Sequence, residues 1–578
     1  MSRLPLLALL LTALCVTVPA AASAATFDVT TADDLAAALD TADGNGTNDV
    51  ITIAPGAGKL TRAGGYVYSA APSDVDRNLT VEGGGRTIGG SPSSAALIFD
   101  NNAGDGSLIL TDLTVDMDAG NFLGVELKMP ATVQRLNVTG TGNSGGLALR
   151  TYRSIDATNV TVAAQTGEGI VVEGGNATYT NLKVSGPDFR FATVLGGTLT
   201  MTGATLDQPG GSAVGGVYAE SPGTAVTLSR VRILGSYRAV EAASGATIAV
   251  SDSLFTAGPG SFIGLLAAAD NTLDPRTTTI TGERLTIIGA NTAGQEVARA
   301  SGGFDDTEAD TTAIVLRDSI VDGLPDGAWC KDYNAQSTVT IAVERSNLRP
   351  AGVDSDGCDK ASVPGITRTA VTSLDPQFVD AGAGDYRLAA PSPLIDASLA
   401  AGGLPGLPAL DLGGKPRLND GDGDCTAELD LGAFETQAPV AAACVPGTPP
   451  AGPGPGAGGG LPAGAGTTEV DSVAPAITKL TIARTIRRAS KPPVTIRFRL
   501  SEAATVKLTF AKAQGKRFTP VKGAITRALK AGDQRLRFAG ALSKLRRLAP
   551  GSYRVTIVAT DAAGNRSVAQ RGTFRLRG

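Results

Sequence analysis

Short runs in which apolar and polar residues alternate recur along the chain between residues 108 and 348. Each run closes with a four-residue phrase that usually ends in a branched aliphatic residue, as at 112–115, 135–138, 159–162 and 181–184. Successive closing residues lie 22 to 34 residues apart. Alternation at a period of two predicts β-strands. The recurrence predicts a solenoid, because a unit this short cannot bury an apolar face without a neighbour.

The residue types within each unit favour one kind of solenoid. Thr, Val, Leu and Ile fill the runs, and Gly, Asn, Asp or Ser stand between them, which is typical of strands joined by tight turns. No unit carries a long apolar stripe at helical spacing, and the Leu and Asn ladder of leucine-rich repeats is absent. The pattern therefore predicts a parallel β-helix, in which each coil stacks on the last at about 4.8 Å.

The stretches before and after this repeat, together with the repeat itself, resemble a known class of proteins. The opening stretch 27–55, the repeats, and the later phrases 374–379, 385–388, 392–397 and 430–435 resemble secreted bacterial β-helix proteins. These belong to the pectin-lyase-like superfamily and carry a closing segment of the choice-of-anchor type. The resemblance covers residues 26–436 and implies an all-β, right-handed parallel β-helix. It does not imply one activity, because that superfamily contains lyases, hydrolases and adhesins.

Both ends of the solenoid are expected to be covered, because open coils expose unpaired backbone groups. Thr31 followed by Asp34 is similar to a capping box, and Leu35, Ala36, Ala38 and Leu39 give the following segment an apolar stripe. We expect a short helix there that covers the first coil. The closing segment is expected to seal the last coil.

Composition divides the rest of the chain. Residues 1–24 have a basic residue, an apolar run and a small-residue cleavage site, which predicts a secretory signal and a secreted or cell-surface protein. Residues 25–436 form the β-helix, and 437–474 are a Pro, Gly and Ala-rich linker. Residues 475–578 alternate as short strands and predict a small β-sandwich, whose ending at 553–565 resembles bacterial immunoglobulin-like modules. We expect no membrane span in the mature chain.

Four cysteines remain after the signal, and an even count in an exported chain favours disulfides. The pairing that closes the smallest loops is Cys330–Cys358 with Cys425–Cys444. Zinc is the less favoured alternative, because the chain has no His and no closely spaced Cys pair.

Charge is unevenly distributed along the chain. Residues 475–578 hold 24 Lys and Arg against three acidic residues, whereas the preceding residues hold 26 basic and 52 acidic ones. A basic end on an acidic body predicts contact with an anionic partner. An anionic envelope polymer or polysaccharide fits better than nucleic acid, because the chain is exported and this region has few aromatics. A merely solvated basic surface is the alternative.

Candidate binding residues lie where the coils lengthen, at 257–276, 289–311 and 322–336, which we interpret as insertions on one face. The middle stretch is acidic, with Asp305, Asp306, Glu308 and Asp310. The last stretch holds Trp329 and Tyr333, whose rings could stack on sugars or instead pack beneath a loop held by Cys330.

Catalysis by histidine is excluded, because the chain contains none. A lyase would need a cation on the acidic loop and a base such as Arg276, Arg299 or Arg317. A glycoside hydrolase would need two carboxylates. Nothing in the spacing identifies either set, and we assign no catalytic residue.

A possible calcium loop stands at Asp420, Asp422 and Asp424, where acids alternate with glycines. The pattern then departs from an EF-hand, since Cys425 and Leu431 occupy the Gly and Glu positions. Glu428 or Asp430 could complete a looser site, and an acidic turn held by Cys425 is the alternative. Calcium is the one cofactor that the sequence suggests.

The sequence therefore predicts an exported, monomeric protein that binds rather than transforms its ligand. The β-helix would present a face to a polysaccharide or to another cell, and the basic module would hold it to the envelope. A polysaccharide lyase or glycoside hydrolase acting on acidic polysaccharide is the competing hypothesis.

Overall fold

The computed structural model describes most of residues 24–437 and 475–577 and divides the chain into two compact units at residue 450. The described ranges exclude 57, 73–76, 91–94, 102–103, 119, 143, 209–213, 270–275, 304–308, 334–335, 351, 359–364, 399–409, 423–426, 476, 483–484, 488–493, 502, 515–516, 539–547, 561–566 and 568–569. The predicted signal at 1–24 and linker at 437–474, together with Cys425 and Cys444, therefore lie almost wholly outside the described residues. Among the described residues, no helix has both the length and the apolar character needed to span a membrane.

The first unit is a parallel β-helix of about 12 turns, which confirms the predicted fold class. Its elements in chain order are β1 (Ala25–Val29), α1 (Ala32–Ala42), β2 (Asp49–Ile53), β3 (Lys59–Arg62), β4 (Tyr66–Ser69), β5 (Leu79–Gly90), β6 (Ala95–Asp100), β7 (Leu108–Met117), β8 (Leu123–Lys128), β9 (Ala131–Thr141), β10 (Leu147–Thr151), β11 (Ile155–Thr158), β12 (Thr161–Gln165), β13 (Glu168–Val172), β14 (Asn176–Thr180), β15 (Lys183–Val184), β16 (Arg190–Val194), β17 (Thr198–Thr202), β18 (Thr205–Asp207), β19 (Val214–Glu220), β20 (Ala225–Ser229), β21 (Arg232–Ala243), β22 (Thr247–Ser251), β23 (Leu254–Ala257), β24 (Phe262–Ala268), β25 (Thr277–Glu283), β26 (Thr286–Ile288), β27 (Gln295–Ser301), β28 (Thr311–Arg317), β29 (Ile320–Asp322), β30 (Asp326–Lys331), β31 (Thr338–Glu344), β32 (Asn347–Arg349), β33 (Val353–Gly357) and β34 (Ile366–Thr369).

Each strand pairs in parallel with the equivalent strand of the next coil, so the coils build three long sheets. Sheet A runs from β1 through β2, β11, β14, β17, β20, β22, β25, β28 and β31 to β34. Sheet B runs from β3 through β12, β15, β18, β23, β26 and β29 to β32. Sheet C runs from β4 through β6, β8, β10, β13, β16, β19, β24, β27 and β30 to β33. The long strands β5, β7 and β9 turn from sheet A into sheet B, and β21 turns from sheet B into sheet C.

The corner between sheets A and B is one residue with a left-handed backbone in almost every coil. Its φ lies between 45° and 57° at Asp112, Arg135, Asn159, Asn181, Arg230, Asp252, Arg284, Asp318 and Arg345. These residues begin the four-residue phrases from which the solenoid was predicted. The sequence period is therefore the spacing of this corner. Inside the coils, side chains from all three sheets form one continuous core.

The helix α1 covers the first coil, as predicted. Its capping box is formed, because the Thr31 hydroxyl accepts from the Asp34 amide at 3.1 Å and the Asp34 carboxylate accepts from the Thr31 amide at 2.9 Å. Leu35 and Leu39 are buried in the core of the β-helix. The predicted disulfide Cys330–Cys358 is also confirmed and joins β30 to the residue after β33.

The three predicted insertions are only partly insertions. Each contains a strand of sheet C, namely β24, β27 or β30. Extra length lies chiefly between each of these strands and the following strand of sheet A, which are separated by eight, nine and six residues at 269–276, 302–310 and 332–337. The error arose because the repeated phrase marks only the corner between sheets A and B, so the third strand of the coil was read as loop.

The closing segment does not simply seal the last coil. It starts there, where Thr372 bridges to Asn347, and continues through β35 (Phe378–Asp380), a 3-10 turn (Ala381–Ala383) and β36 (Asp385–Leu388). It then runs back along the outer side of sheet B. Leu412 and Ala433 pack against Leu254 of β23, and Leu431 packs against Ile320 of β29.

The second unit consists of two sheets around a core of its own. Its strands are β37 (Ile477–Thr481), β38 (Thr485–Arg487), β39 (Val494–Leu500), β40 (Ala504–Gln514), β41 (Arg517–Leu529), β42 (Gly532–Phe538), β43 (Gly551–Thr560) and β44 (Gln570–Arg577). One sheet has the order β37-β39-β42 and the other β38-β44-β43-β40-β41. Pairing is antiparallel except between β38 and β44.

Candidate functional site

The outer face of sheet C carries charged and aromatic side chains in many of its coils, in register with one another. We call this the sheet C face and define it by two adjacent rows and the aromatic residues that flank them. The first row is Glu126, Arg150, Val171, Thr193, Tyr218, Glu241, Leu266, Arg299 and Trp329. The second row includes Glu168, Arg190, Arg238, Glu296 and Asp326. The two rows are three residues apart along each strand, and the ion pairs of Arg238 with Glu241 and Arg299 with Glu296 show that both rows lie on the same outer side.

Basic side chains cover the aromatic rings of this face. The guanidinium of Arg190 lies 3.9 Å from the ring centre of Tyr218 and 4.5 Å from that of Phe189. Arg150 lies 4.9 Å from Tyr152. Such contacts are favourable because the electron-rich ring face attracts a cation. The same arrangement recurs at Tyr237 with Arg238, at Trp329 with Arg299 and at Tyr333 with Lys331.

Acidic side chains of the sheet C face are engaged by these cations. Arg238 pairs with Glu241 at 2.8 Å, Arg190 approaches Glu168 at 3.8 Å, and Arg299 pairs with Glu296. Lys128 lies 3.3 Å from Glu126. Glu126 and Glu296 are buried although they point outward from the core. These two carboxylates are therefore shielded from water by neighbouring side chains, whereas Arg150, Tyr218 and Trp329 remain partly exposed.

The structure brings the predicted Trp329 and Tyr333 to this face. Ala328 and Cys330 point into the core, so Trp329 between them points outward and stacks against Arg299 of the preceding coil. Tyr333 follows the strand and is 39% exposed. Trp329 is therefore partly exposed on the outer face rather than buried, and stacking of its ring on sugars stays a prediction.

Of the four acidic residues predicted to bind a ligand near Trp329, the structure describes only Asp310. Asp305, Asp306 and Glu308 lie outside the described residues. Asp310 is buried, and its Oδ1 accepts a hydrogen bond from the Arg276 backbone amide at 2.9 Å. In this position Asp310 holds two neighbouring coils together.

Sequence reasoning missed the other aromatics of the sheet C face, namely Tyr152, Phe189, Tyr218 and Tyr237. A signal was present: three of them stand next to or two residues from an arginine, at 150–152, 189–190 and 237–238. The spacing was not used, because the third strand of each coil had not been recognised.

Two of the predicted calcium residues, Asp420 and Asp422, form part of a larger acidic cluster within the closing segment. Asp420 and Asp422 each bring a carboxylate oxygen within 4.8 Å of one from Asp396. Asp396 is also within this distance of Asp430 and Glu435. Asp424 lies outside the described residues. The pattern of alternating acids indicated part of the cluster but missed Asp396 and Glu435.

Buried ion pairs connect this cluster to the β-helix. Arg417 is 1% exposed and lies 2.9 Å from Asp252 and 3.2 Å from Glu435. Asp252 also pairs with Arg284 at 2.9 Å. Burial away from water raises the pKa of Glu435 to about 9, with a further increase from the charge of Asp430. Burial likewise raises the pKa of Asp396 to about 6.

The second unit carries exposed basic side chains on both of its sheets. On β39 and β42, Arg497 and Arg535 are directly opposite and both exposed. Like charges at opposite positions destabilise a sheet, so these two arginines repel each other unless solvent and salt screen them. The other sheet exposes Lys507, Arg571 and Arg575.

Comparison with known proteins adds no assignment. No family model matches the chain, and no curated protein matches it.

Proposed function

We propose that this is an exported, non-enzymatic protein whose sheet C face binds an extended polysaccharide and whose basic second unit contacts an anionic envelope polymer. The observation that carries the proposal is the row of aromatic rings and paired charges along sheet C. Aromatic faces pack against the C–H faces of sugars, and ion-paired polar groups at the edge can bind hydroxyl or carboxylate groups.

The geometry favours a long ligand over a small one. Tyr218 on β19 and Trp329 on β30 are four strand steps apart, which corresponds to about 19 Å along the helix axis. A ligand that contacts both must be a chain of several sugar units. The paired acids also suit binding, because carboxylates already held by arginines are poorly placed to transfer protons.

A carbohydrate array with the full exported chain tests this proposal. We expect Trp329→Ala and Tyr218→Ala each to weaken polymer binding about tenfold, the order expected from one lost aromatic contact. Ile109→Ala is the matched control, because Ile109 is 42% exposed but lies on sheet A. Short oligosaccharides should respond to one aromatic substitution and not to the other.

Turnover on the bound polymer is the outcome that would contradict the binding role. New reducing ends or an unsaturated product, measured with and without EDTA, would show a hydrolase or lyase instead. Equal binding by Trp329→Ala, Tyr218→Ala and Ile109→Ala would exclude the sheet C face.

The envelope contact is tested separately on washed cell envelopes. We expect a chain that ends at residue 474 to be lost from them, and retention of the full chain to fall as salt screens the contact. Replacing Arg497, Arg499 and Arg535 by Gln, compared with replacing Lys507, Arg571 and Arg575, would identify the sheet responsible. Retention of the shortened chain would refute anchoring by this unit.

A further inference from the structure

Three carboxylates of the closing segment lie close together, and two of them are buried. Asp396, Asp430 and Glu435 each place an oxygen within 4.8 Å of the others. Asp430 and Glu435 are 0% and 5% exposed. Several negative charges this close and this buried are strongly unfavourable unless a positive charge accompanies them.

Hydrogen bonding does not satisfy this group. Asp430 accepts from the amides of Asp396 at 2.9 Å and Thr436 at 2.6 Å. Glu435 accepts through Oε2 from Arg417 at 3.2 Å. Glu435 Oε1 and Asp396 Oδ1 are buried and accept no hydrogen bond. A buried carboxylate oxygen without a donor is costly, so these oxygens indicate a missing partner.

The charges of the surrounding network show what kind of partner would fit. Arg417 and Arg284 face a larger number of carboxylates, which ion pairs and short oxygen distances connect into one set: Asp252, Glu283, Asp396, Asp420, Asp422, Asp430 and Glu435. Two positive groups against seven acidic ones leave an excess of negative charge in the ionised state. A divalent cation would reduce this excess.

We propose that Asp396, Asp430 and Glu435 bind one calcium ion. All the available ligand atoms are oxygens in an irregular arrangement, which suits calcium better than magnesium, because magnesium requires near-ideal octahedral geometry. The ion would join residue 396 to residues 430–435 and, through Arg417 and Asp252, fix the closing segment on sheet B. The site differs from the loop predicted at Asp420, Asp422 and Asp424. It is also independent of polysaccharide binding by sheet C.

Calorimetric titration with calcium chloride on the full exported chain, first stripped with EDTA, tests this site. We expect one ion per chain and a higher unfolding temperature with calcium than with EDTA. Glu435→Gln and Asp430→Asn should weaken binding by at least about tenfold, since each removes a charged ligand. Asp156→Asn, an exposed carboxylate on β11, should leave the affinity unchanged. Far-UV circular dichroism checks that each variant is folded.

Two results would overturn the assignment. Stripped wild-type chain that binds no calcium would show that a proton, rather than a cation, neutralises Glu435. Loss of binding in Asp422→Asn with full binding in Glu435→Gln would place the ion in the outer group of Asp396, Asp420 and Asp422. Neither result bears on the carbohydrate array, so the two proposals fail separately.

Discussion

Single corner residues explain both the rhythm of this sequence and much of its charge pairing. A left-handed φ is unfavourable for any residue with a side chain, less so for Asp and Asn than for Arg. Here Arg135, Arg284 and Arg345 adopt it beside an aspartate at the equivalent corner of the preceding coil. Asn181 similarly donates to Asn159 at 3.1 Å. Contacts between successive corners thus offset the cost of the turn.

A corner aspartate should contribute more to the free energy of unfolding when it is buried than when it is exposed. Asp252 is fully buried and partners both Arg284 and Arg417, so Asp252→Asn leaves two buried cations short of a counter-charge. We expect a loss of about 3–5 kcal/mol in the free energy of unfolding, measured by urea denaturation. Asp112→Asn is matched in residue type and backbone conformation, but Asp112 and Arg135 have side chains 39% and 53% exposed. It should cost less than about 1 kcal/mol. Equal losses would contradict this assignment of energy to burial.

At the level of elements, the closing segment behaves as a strap along sheet B. Leu388, Leu394, Ile395 and Leu431 form a small core with Ile320 of β29, separate from the core inside the coils. The Gly432 amide donates to the Asp318 carbonyl at 2.9 Å, and the Ala433 amide donates to the Thr286 hydroxyl at 3.0 Å. Successive coils are therefore tied together from outside as well as through their strands.

Because this core is separate, a substitution within it should loosen the closing segment without unfolding the β-helix. Leu394 is fully buried, so Leu394→Ala should destabilise docking of the segment by about 3 kcal/mol. Proteolytic cleavage within residues 375–437 should accelerate by about 100-fold, because cleavage follows the population of the opened form. Leu374→Ala is the control, since Leu374 is 43% exposed. Faster cleavage throughout the β-helix in Leu394→Ala would show that the segment and the coils open together.

At the scale of the whole molecule, charge is divided between the two units. Residues 475–578 carry a net charge of +21, and the residues before them carry −26. Opposite charges of this size attract between molecules as well as within one, and the attraction weakens as the screening length shrinks from about 30 Å at 0.01 M salt to about 8 Å at 0.15 M.

We therefore expect salt-dependent self-association of the full chain. Sedimentation velocity should show association at low ionic strength and monomer at physiological salt. A chain that ends at residue 474 should remain monomeric at both, because it lacks the basic unit. Association of that shortened chain at low salt would instead point to contacts between β-helices.

Local patterns predicted the parts of the fold that local residues determine. The corner phrases, the capping box at Thr31 and Asp34, and the pair Cys330–Cys358 all depend on short stretches or on coil spacing. The docking of residues 410–435 on sheet B was not predictable in this way. It depends on contacts such as Arg417 with Asp252, which are far apart in sequence and carry no period. The candidate binding face was found only at Trp329 and Tyr333, because the third strand of each coil has no corner phrase to mark it.

The parallel pairing of each coil only with its neighbours has a consequence for how such a protein can diversify. Coils between β9 and β18 lie outside the span from β21 to β32 along which the closing segment makes the contacts described above. Duplication or deletion of one unit there would lengthen or shorten sheet C by a single strand step, about 4.8 Å, and leave both ends of the β-helix intact. The length of the β-helix could thus change by one coil at a time, while the contacts of the closing segment stay as they are.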